Sequence, residues 1–384
     1  MTKRALITGI TGMVGSHLLD YLLKHTDWEI HGMLRWRSPL DNISGHLDDI
    51  NAGGRIKLHY ADLRDTMAIQ NCVQAARPDY VFHLAAQSYP QTSFTAPLDT
   101  LDTNIQGTER LLGALRRFSP EAIIHVCASS EVFGRVPREK LPINEECTFH
   151  PASPYAISKV GTDLVGRYYA EAYNMCVMTT RMFTHTGPRR GDVFAESTFA
   201  KQIAMVEGNK LPPVVKVGNL DSLRTWVDVR DAVRAYHMLV TINPTPGAYY
   251  NIGGQYTCTV RAMLDALIGQ STCANIRVEV DPERLRPIDA DLQVCQGCGA
   301  GRSCGDERRR RRGQHGERTG LQHPRRRRRA ERADRNEWAN RVGPLETQWP
   351  SLSGLRPDEA RCDRVCAEVL TACRTRRDLE LVLR

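Results

Sequence analysis

The sequence has no long apolar run. Nothing in its 384 residues approaches the ~18 consecutive apolar residues of a bilayer span, which excludes a transmembrane helix. It also lacks a leader with an apolar stretch and a small-residue cleavage site. The start, Met-Thr-Lys-Arg-Ala-Leu-Ile-Thr-Gly, leads straight into a strand and turn, so a cytoplasmic location is expected. Aromatic residues are few, at 7%, but hydrophobic residues reach 41% and charged residues stop at 25%. That balance excludes a disordered chain, a collagen and a small disulfide scaffold. No repeat of fixed period is apparent, and the length allows roughly two to three units of about 150 residues with a sizeable core.

Lysine is missing from Cys295 to Arg384, where 22 arginines face 13 acidic residues for a net of +9. The overall charge of +8 therefore belongs to this tail, and residues 1–294, with 30 basic and 31 acidic groups, are nearly neutral. Six cysteines scatter through the body, while Cys295, Cys298, Cys304, Cys362, Cys366 and Cys373 crowd the tail. Without a secretory leader, free thiols in a reducing compartment are expected.

Three readings of 295–384 compete. One is a nucleic-acid arm carried by the runs Arg308 to Arg312 and Arg325 to Arg329. A second is a zinc site on Cys295, Cys298 and Cys304, which lacks a second well-spaced pair. The third, which is favoured, is a shifted reading frame in a GC-rich gene, because arginine without lysine is what such codons give. The tail is expected to be disordered on any of them. A nucleic-acid partner is expected only if the arm is genuine, and no metal is expected.

Elsewhere, residues 4 to 9 form an apolar run ending in glycine, followed by the helical spacing Val14, Leu18, Leu19, Leu22, Leu23. Further strands are predicted at Glu29 to Met33, Ile56 to Tyr60, Tyr80 to Leu84 and Ile123 to Ala128, with helices at Thr66 to Ala76 and Thr103 to Phe118. Alternating strands and helices with right-handed crossovers give an α/β fold around a Rossmann-type, doubly wound parallel sheet. The division expected is 1–191 mainly for the dinucleotide, 192–294 mainly as a smaller mixed substrate lobe, and 295–384 as tail.

The turn Thr8-Gly9-Ile10-Thr11-Gly12-Met13-Val14-Gly15 sits between the first strand and its helix. Glycines at that spacing let the backbone approach a pyrophosphate resting on the helix amino terminus, although a plain turn is the alternative. After the second strand stand Arg35, Trp36, Arg37 and Ser38 instead of an acid, which suits a 2′-phosphate and favours NADP over NAD. Solvated loop arginines are the other reading. Asp62-Leu63 either addresses the adenine or caps the following helix.

Tyr155 and Lys159 lie one helical turn apart, and an ammonium near a phenol favours the phenolate that can take a proton from a sugar hydroxyl. The fifth strand ends in Cys127-Ala-Ser129-Ser130-Glu131, where such a sheet presents its ligands, and a carboxylate there can move protons. An exposed Tyr and Lys on a helix is the alternative for the first pair, and a cap or a satisfied strand end is the alternative for Glu131 and the serines.

Taken together these residues resemble the extended short-chain dehydrogenase/reductases, and within them the GDP-mannose 4,6-dehydratases, over about residues 3 to 292. The glycine turn, His83-Leu84-Ala85-Ala86-Gln87-Ser88, Thr103-Asn104, Ser-Ser-Glu, Pro154-Tyr155 with Lys159, Gly187 to Gly191, Val217 to Arg224 and Leu285-Arg286-Pro287 carry the resemblance. It implies cofactor contacts from Thr11, Met13, Val14, Leu84, Ala85, Ala86 and Ser88, and substrate contacts from Ser88, Ser130, Thr184, Val217 and Asn219. Lys201, Arg224 and Arg286 are implied at the diphosphate or base, with a surface salt bridge as the alternative for each and a turn as the alternative for Asn219. It further implies Tyr155, aided by Lys159 and Ser129, as base at C4 and Glu131 as acid and base for water loss, a role suited by a raised pKa. A homodimer or homotetramer is implied. Thr184 departs from the family's asparagine, and a 4-keto-6-deoxy reductase or an epimerase of the same fold remains open.

Overall fold

The computed structural model describes residues 2–242, 244–288, 290 and 292–295. In the first part of the chain β1 (Arg4–Thr8), β2 (Glu29–Leu34), β3 (Ile56–Tyr60), β4 (Tyr80–His83), β5 (Ile123–Cys127) and β6 (Cys176–Met182) alternate with helices. The helices are α1 (Met13–His25), α2 (Leu47–Asn51), α3 (Thr66–Ala76), α4 (Pro90–Thr95), α5 (Pro97–Leu101), α6 (Gly107–Phe118) and α7 (Pro154–Tyr173). Then follow β7 (Thr184–Thr186), α8 (Ala195–Glu207), β8 (Val214–Val217), β9 (Leu223–Asp228) and α9 (Val229–Thr241). The described part closes with β10 (Tyr249–Ile252), β11 (Tyr256–Thr259), α10 (Val260–Gly269), β12 (Arg277–Val280) and β13 (Leu292–Gln293).

Seven parallel strands form one sheet in the order β10-β6-β5-β4-β1-β2-β3, the doubly wound arrangement expected from the alternating pattern. The central strands β1, β4 and β5 are buried along nearly their whole length because both faces are covered, whereas the edge strand β3 keeps Lys57 and Tyr60 exposed. Leu18, Leu19 and Leu22 of α1 pack with Val229, Val233 and Tyr236 of α9 on one face. Ile69 and Val73 of α3 pack with Leu111, Leu112 and Leu115 of α6 on the other. The five predicted strands, β1 to β5, and α3 fall within a residue of their expected limits, while β6 and β10 lie beyond those expected. The stretch from Thr103 opens as π-helix (Asp102–Gln106) before α6 begins.

Beyond residue 192 the chain serves two bodies of structure. α9 and β10 return to the large sheet, while Phe199, Ile203, Val215, Val217, Trp226, Met263 and Leu264 build a separate core for the lobe. β9 is the lobe's hub, pairing with β7, β11 and β13. Cys295, taken with the tail on composition, is instead buried. Its N–H donates to the Thr225 hydroxyl at 3.0 Å, and its backbone bridges Ile143. The arginine runs and the other tail cysteines lie outside the described residues. Among the described residues no helix is long and apolar enough to cross a membrane.

Candidate active site

A cavity of about 640 Å³ opens along the carboxyl ends of the central strands, from the start of α1 to β9 of the lobe. At the α1 end, Thr8 ends β1 with its hydroxyl accepting the N–H groups of Leu84 and Ala85, both at 3.0 Å, and meeting His83 Nδ1 at 2.9 Å. His83 reaches Thr108 on α6 at 3.0 Å through its other nitrogen, and burial lowers its pKa to about 3, so it is neutral. These motif residues frame the turn. Gly9 has φ +72°, and a Cβ there would lie 3.0 Å from Ala85 Cα. At Gly15 a Cβ would lie 2.2 Å from the Gly9 carbonyl, so α1 can seat on the sheet only with glycine at this point. No described side chain caps α1 at Gly12, which leaves its first N–H groups and dipole facing the cavity.

Two loops are strapped over this turn. Asn42 donates to the Thr11 carbonyl at 2.9 Å. Asp20 on α1 receives His46 Nε2 at 2.6 Å and Arg189 Nη1 at 2.8 Å, tying the loop after β2 and the loop after β7 to the same helix. Arg190, beside Arg189, pairs with Glu196 at 2.9 Å, lies 3.6 Å over the Phe194 ring and lines the cavity.

The chemistry-bearing groups meet on the β5–α7 side. Ser153 caps α7 by accepting from the Ala156 N–H at 3.0 Å, and Pro154 occupies the first turn. This start sets Tyr155 and Lys159 on one face, 8% and 5% exposed, so neither is the surface residue of the bland reading. Asn104 accepts the Gln87 N–H at 2.8 Å and donates to Ser158 at 2.8 Å, holding the Ala-Ala-Gln-Ser loop against α7. Lys159 Nζ donates to the Cys127 carbonyl at 2.9 Å, and burial lowers its pKa. Burial raises the Tyr155 pKa, with Cys127 and Glu131 adding to the rise, whereas a hydrogen bond from Ser129 and the charge of Arg190 pull it down.

Ser129 also accepts the Glu131 N–H at 3.2 Å, starting a turn of 3-10 helix (Ser130–Phe133) that aims Glu131 into the cavity. Burial works to raise the Glu131 pKa, as the sequence reading expects, but Arg286 and Arg224 outweigh it and the carboxyl is held below its ordinary value. Arg286 Nη1 lies 3.3 and 3.1 Å from the two carboxylate oxygens, and Arg224 Nη1 lies 4.0 Å away.

Of the expected site residues, Gly9, Gly12, Met13, Val14, Gly15, Leu84, Ala86 and Ser88 line this cavity at the end nearest α1. Ser129, Ser130, Glu131, Tyr155, Lys159, Thr184, Asn219, Arg224 and Arg286 line it too. Thr11 and Ala85 stand behind the lining, bonded as described. Arg35 and Arg37 are exposed on the loop after β2. Asp62 is chelated by Arg64 at 3.1 Å, and the cap of α3 is Asp65, which accepts the Ala68 N–H at 3.0 Å. Leu63 is buried against α6. Val217 is buried in the lobe core, and Lys201 pairs with Asp192 at 2.6 Å on the outer side of α8, so the structure brings neither to the cavity. Asn219 accepts the Asp221 N–H at 2.9 Å, a turn role beside its place in the lining. His185 is held by the Phe183 carbonyl at 3.1 Å with its pKa lowered to about 4 by burial. Asn42, Asp20 and Glu196 carry no sequence signal, because each works through a partner distant in the chain.

A family model described as GDP-mannose 4,6 dehydratase matches residues 6–298. Curated relatives include the GDP-mannose 4,6 dehydratase of Drosophila melanogaster, 33% identical with 76% of this chain and 78% of the relative covered. That of Vibrio cholerae is 34% identical, with 67% and 69% covered. Among solved structures, RMD from Pseudomonas aeruginosa complexed with NADPH is similar with a TM-score of 0.63 and 28% identity, over 77% of this chain and 90% of that one. The dTDP-glucose 4,6-dehydratase DesIV from Streptomyces venezuelae, with NAD and TYD bound, gives 0.65 and 25%, over 77% and 88%.

Proposed function

This chain belongs to the GDP-mannose 4,6-dehydratase family and is a sugar-nucleotide 4,6-dehydratase, and on that footing we propose that it acts on GDP-mannose, keeps NADP as its resident cofactor and yields GDP-4-keto-6-deoxymannose. The observation that carries this reading is the meeting of Ser129, Glu131, Tyr155 and Lys159 in one cavity with the uncapped start of α1. A dinucleotide fits that end, since a Cβ on Gly9 or Gly15 would crowd Ala85 or the Gly9 carbonyl and close the turn to a pyrophosphate. The Gly9–Gly15 turn would hold the pyrophosphate, and Arg35 and Arg37 the 2′-phosphate that separates NADP from NAD. Bound there, the nicotinamide supplies a hydride acceptor for C4 and later a hydride donor for C6.

Tyr155 takes the proton of the C4 hydroxyl, with Ser129 and Lys159 lowering the cost of the phenolate. The C4 ketone then acidifies C5. Glu131 removes the C5 proton and passes it to the C6 hydroxyl, which leaves as water. After hydride reaches C6, Tyr155 returns its proton to C5, so both side chains end as they began and no net oxidant is consumed. The exposed row Ile157, Leu164 and Tyr168 along α7 supports the pairing of two chains.

Incubation with NADP and a mixture of GDP-mannose, CDP-glucose, UDP-glucose and dTDP-glucose, read by mass, is the test. Loss of one water from GDP-mannose is expected. Loss from another sugar nucleotide would move the substrate, and loss from none the reaction. A 4-reductase is the second reading, because the resemblance at the Ser-Ser-Glu strand end extends to that branch as well; stoichiometric NADPH oxidation with a 4-keto-6-deoxy sugar nucleotide would establish it. For the basic arm, salt-sensitive RNA retention lost on deletion of residues 295–384 is the discriminating result.

A further inference from the structure

The groups around Glu131 differ in how firmly the fold holds them. Glu131 is fixed by its turn and its N–H bond to Ser129, and Arg224 by β9, opposite Cys258 in the register with β11. Arg286 stands on the irregular stretch between β12 and β13, its side chain 31% exposed, and yet it makes the closer contact, with one nitrogen bridging both carboxylate oxygens. A single-nitrogen bridge is a weaker grip than the bidentate fork a guanidinium forms with a phosphate. Both arginines line the lobe end of the cavity with Gly218, Asn219 and Ser222, away from the glycine turn.

We propose that Arg286 is a substrate-sensed latch on Glu131: it neutralises the carboxylate until a nucleoside diphosphate arrives, then exchanges the carboxylate for phosphate oxygens and frees Glu131 to act as a base. This rests on the reading of the lobe end as the diphosphate site. It reconciles two demands on one side chain. A carboxylate paired with a guanidinium is a weak base, whereas proton removal from C5 requires a strong one. With the latch, Glu131 gains proton affinity only when a sugar nucleotide fills the cavity. Coupling of this kind is reciprocal, so the Glu131 charge must in turn hold back diphosphate binding by competing for Arg286.

The test uses the NADP-loaded protein and GDP, which carries the diphosphate and has no sugar to react, with UDP and dTDP run alongside. Glu131→Gln removes the competitor, and GDP is expected to bind about tenfold tighter than to the wild type, a usual size for coupling between sites. Calorimetry in buffers of different ionisation enthalpy should show GDP binding to the wild type taking up more protons than binding to Glu131→Gln, the terminal phosphate of GDP contributing equally to both. The gain must also pass through Arg286: in an Arg286→Ala background, Glu131→Gln should change GDP affinity less than twofold. An undiminished gain there would mean simple charge repulsion and overturn the latch, as would equal affinities for wild type and Glu131→Gln. Binding of none of the three nucleotides to either protein would instead overturn the diphosphate reading, and the latch with it.

Discussion

In the proposed mechanism Tyr155 and Glu131 start from opposite electrostatic positions. The phenol is pushed up by burial and eased down by Ser129 and Arg190, while the carboxyl is held down by two arginines. Tyr155→Phe should therefore abolish C4 oxidation, with a fall of roughly 10²- to 10⁴-fold in turnover, the scale of a lost general base. A fast rise of NADPH absorbance in that variant would remove Tyr155 from the first step. Glu131→Gln should leave that absorbance rise intact and stop the loss of water, and full dehydration by the variant would contradict the role. Tyr155, Lys159 and Glu131 were legible because each sits in a short motif next to a predicted strand end. The Arg286–Glu131 pair was not, since 155 residues separate the partners. Nor was Arg181, whose Nε meets Asp163 at 2.7 Å with both side chains almost fully buried and its guanidinium 4.4 Å from the Tyr249 ring. Nothing in the β6 pattern announces a buried charge. Arg181→Met should cost about 3 kcal/mol by leaving the buried Asp163 with only its longer, 3.6 Å contact to Arg167, measured as a fall in urea midpoint. Replacing Asp163 by Leu in the same protein should recover part of it.

At the scale of elements, the first five strands and α1, α3, α6 and α7 could be read from the sequence because short apolar runs beside turn residues, helical spacing and site motifs mark them, whereas β6, Cys-Val-Met-Thr-Thr-Arg-Met, carries no such run. The lobe could not be read. Its strands span two to six residues, too short to show a period, and β7, β9, β11 and β13 form a sheet only through pairings between distant segments. α1 offers the sharpest test of an element's position. Gly15→Ala would place a methyl 2.2 Å from the Gly9 carbonyl and 2.8 Å from Ile10 Cα, both backbone atoms. α1 must then lift from β1, with an expected cost of about 1–3 kcal/mol and a loss of NADP affinity larger than the loss of stability predicts. Fluorescence titration with NADPH beside a thermal melt separates the two effects, and unchanged binding would show that the seat of α1 does not shape the cofactor end.

Across the whole molecule, stability carries a pH signature from its histidines. Burial lowers His83 and His125 to about 3 and His59 and His185 to about 4, all below the 6.5 of an exposed imidazole. The folded state keeps them neutral, and the unfolded chain binds protons once pH drops below about 6.5. Their contribution is thus fully present above pH 6.5 and is lost as pH falls toward 4 and then 3, at about 1.4 kcal/mol per pH unit for each proton taken up. Melting temperature should fall steadily from pH 7 to 4.5, and a flat profile would mean that other groups compensate.

The return of β10 to the large sheet shapes how the chain comes off the ribosome. β6 is complete at Met182, but its outer neighbour spans Tyr249 to Ile252, aligning Tyr249 with Thr179 and Ile252 with Met182. During synthesis the nascent sheet must wait with a bare edge at β6 while the whole of α8, β8, β9 and α9 is translated. An unpaired apolar edge is a template for joining other chains. A fragment ending at Gly191 should accordingly aggregate, and the full chain, with β10 seated on β6, should not.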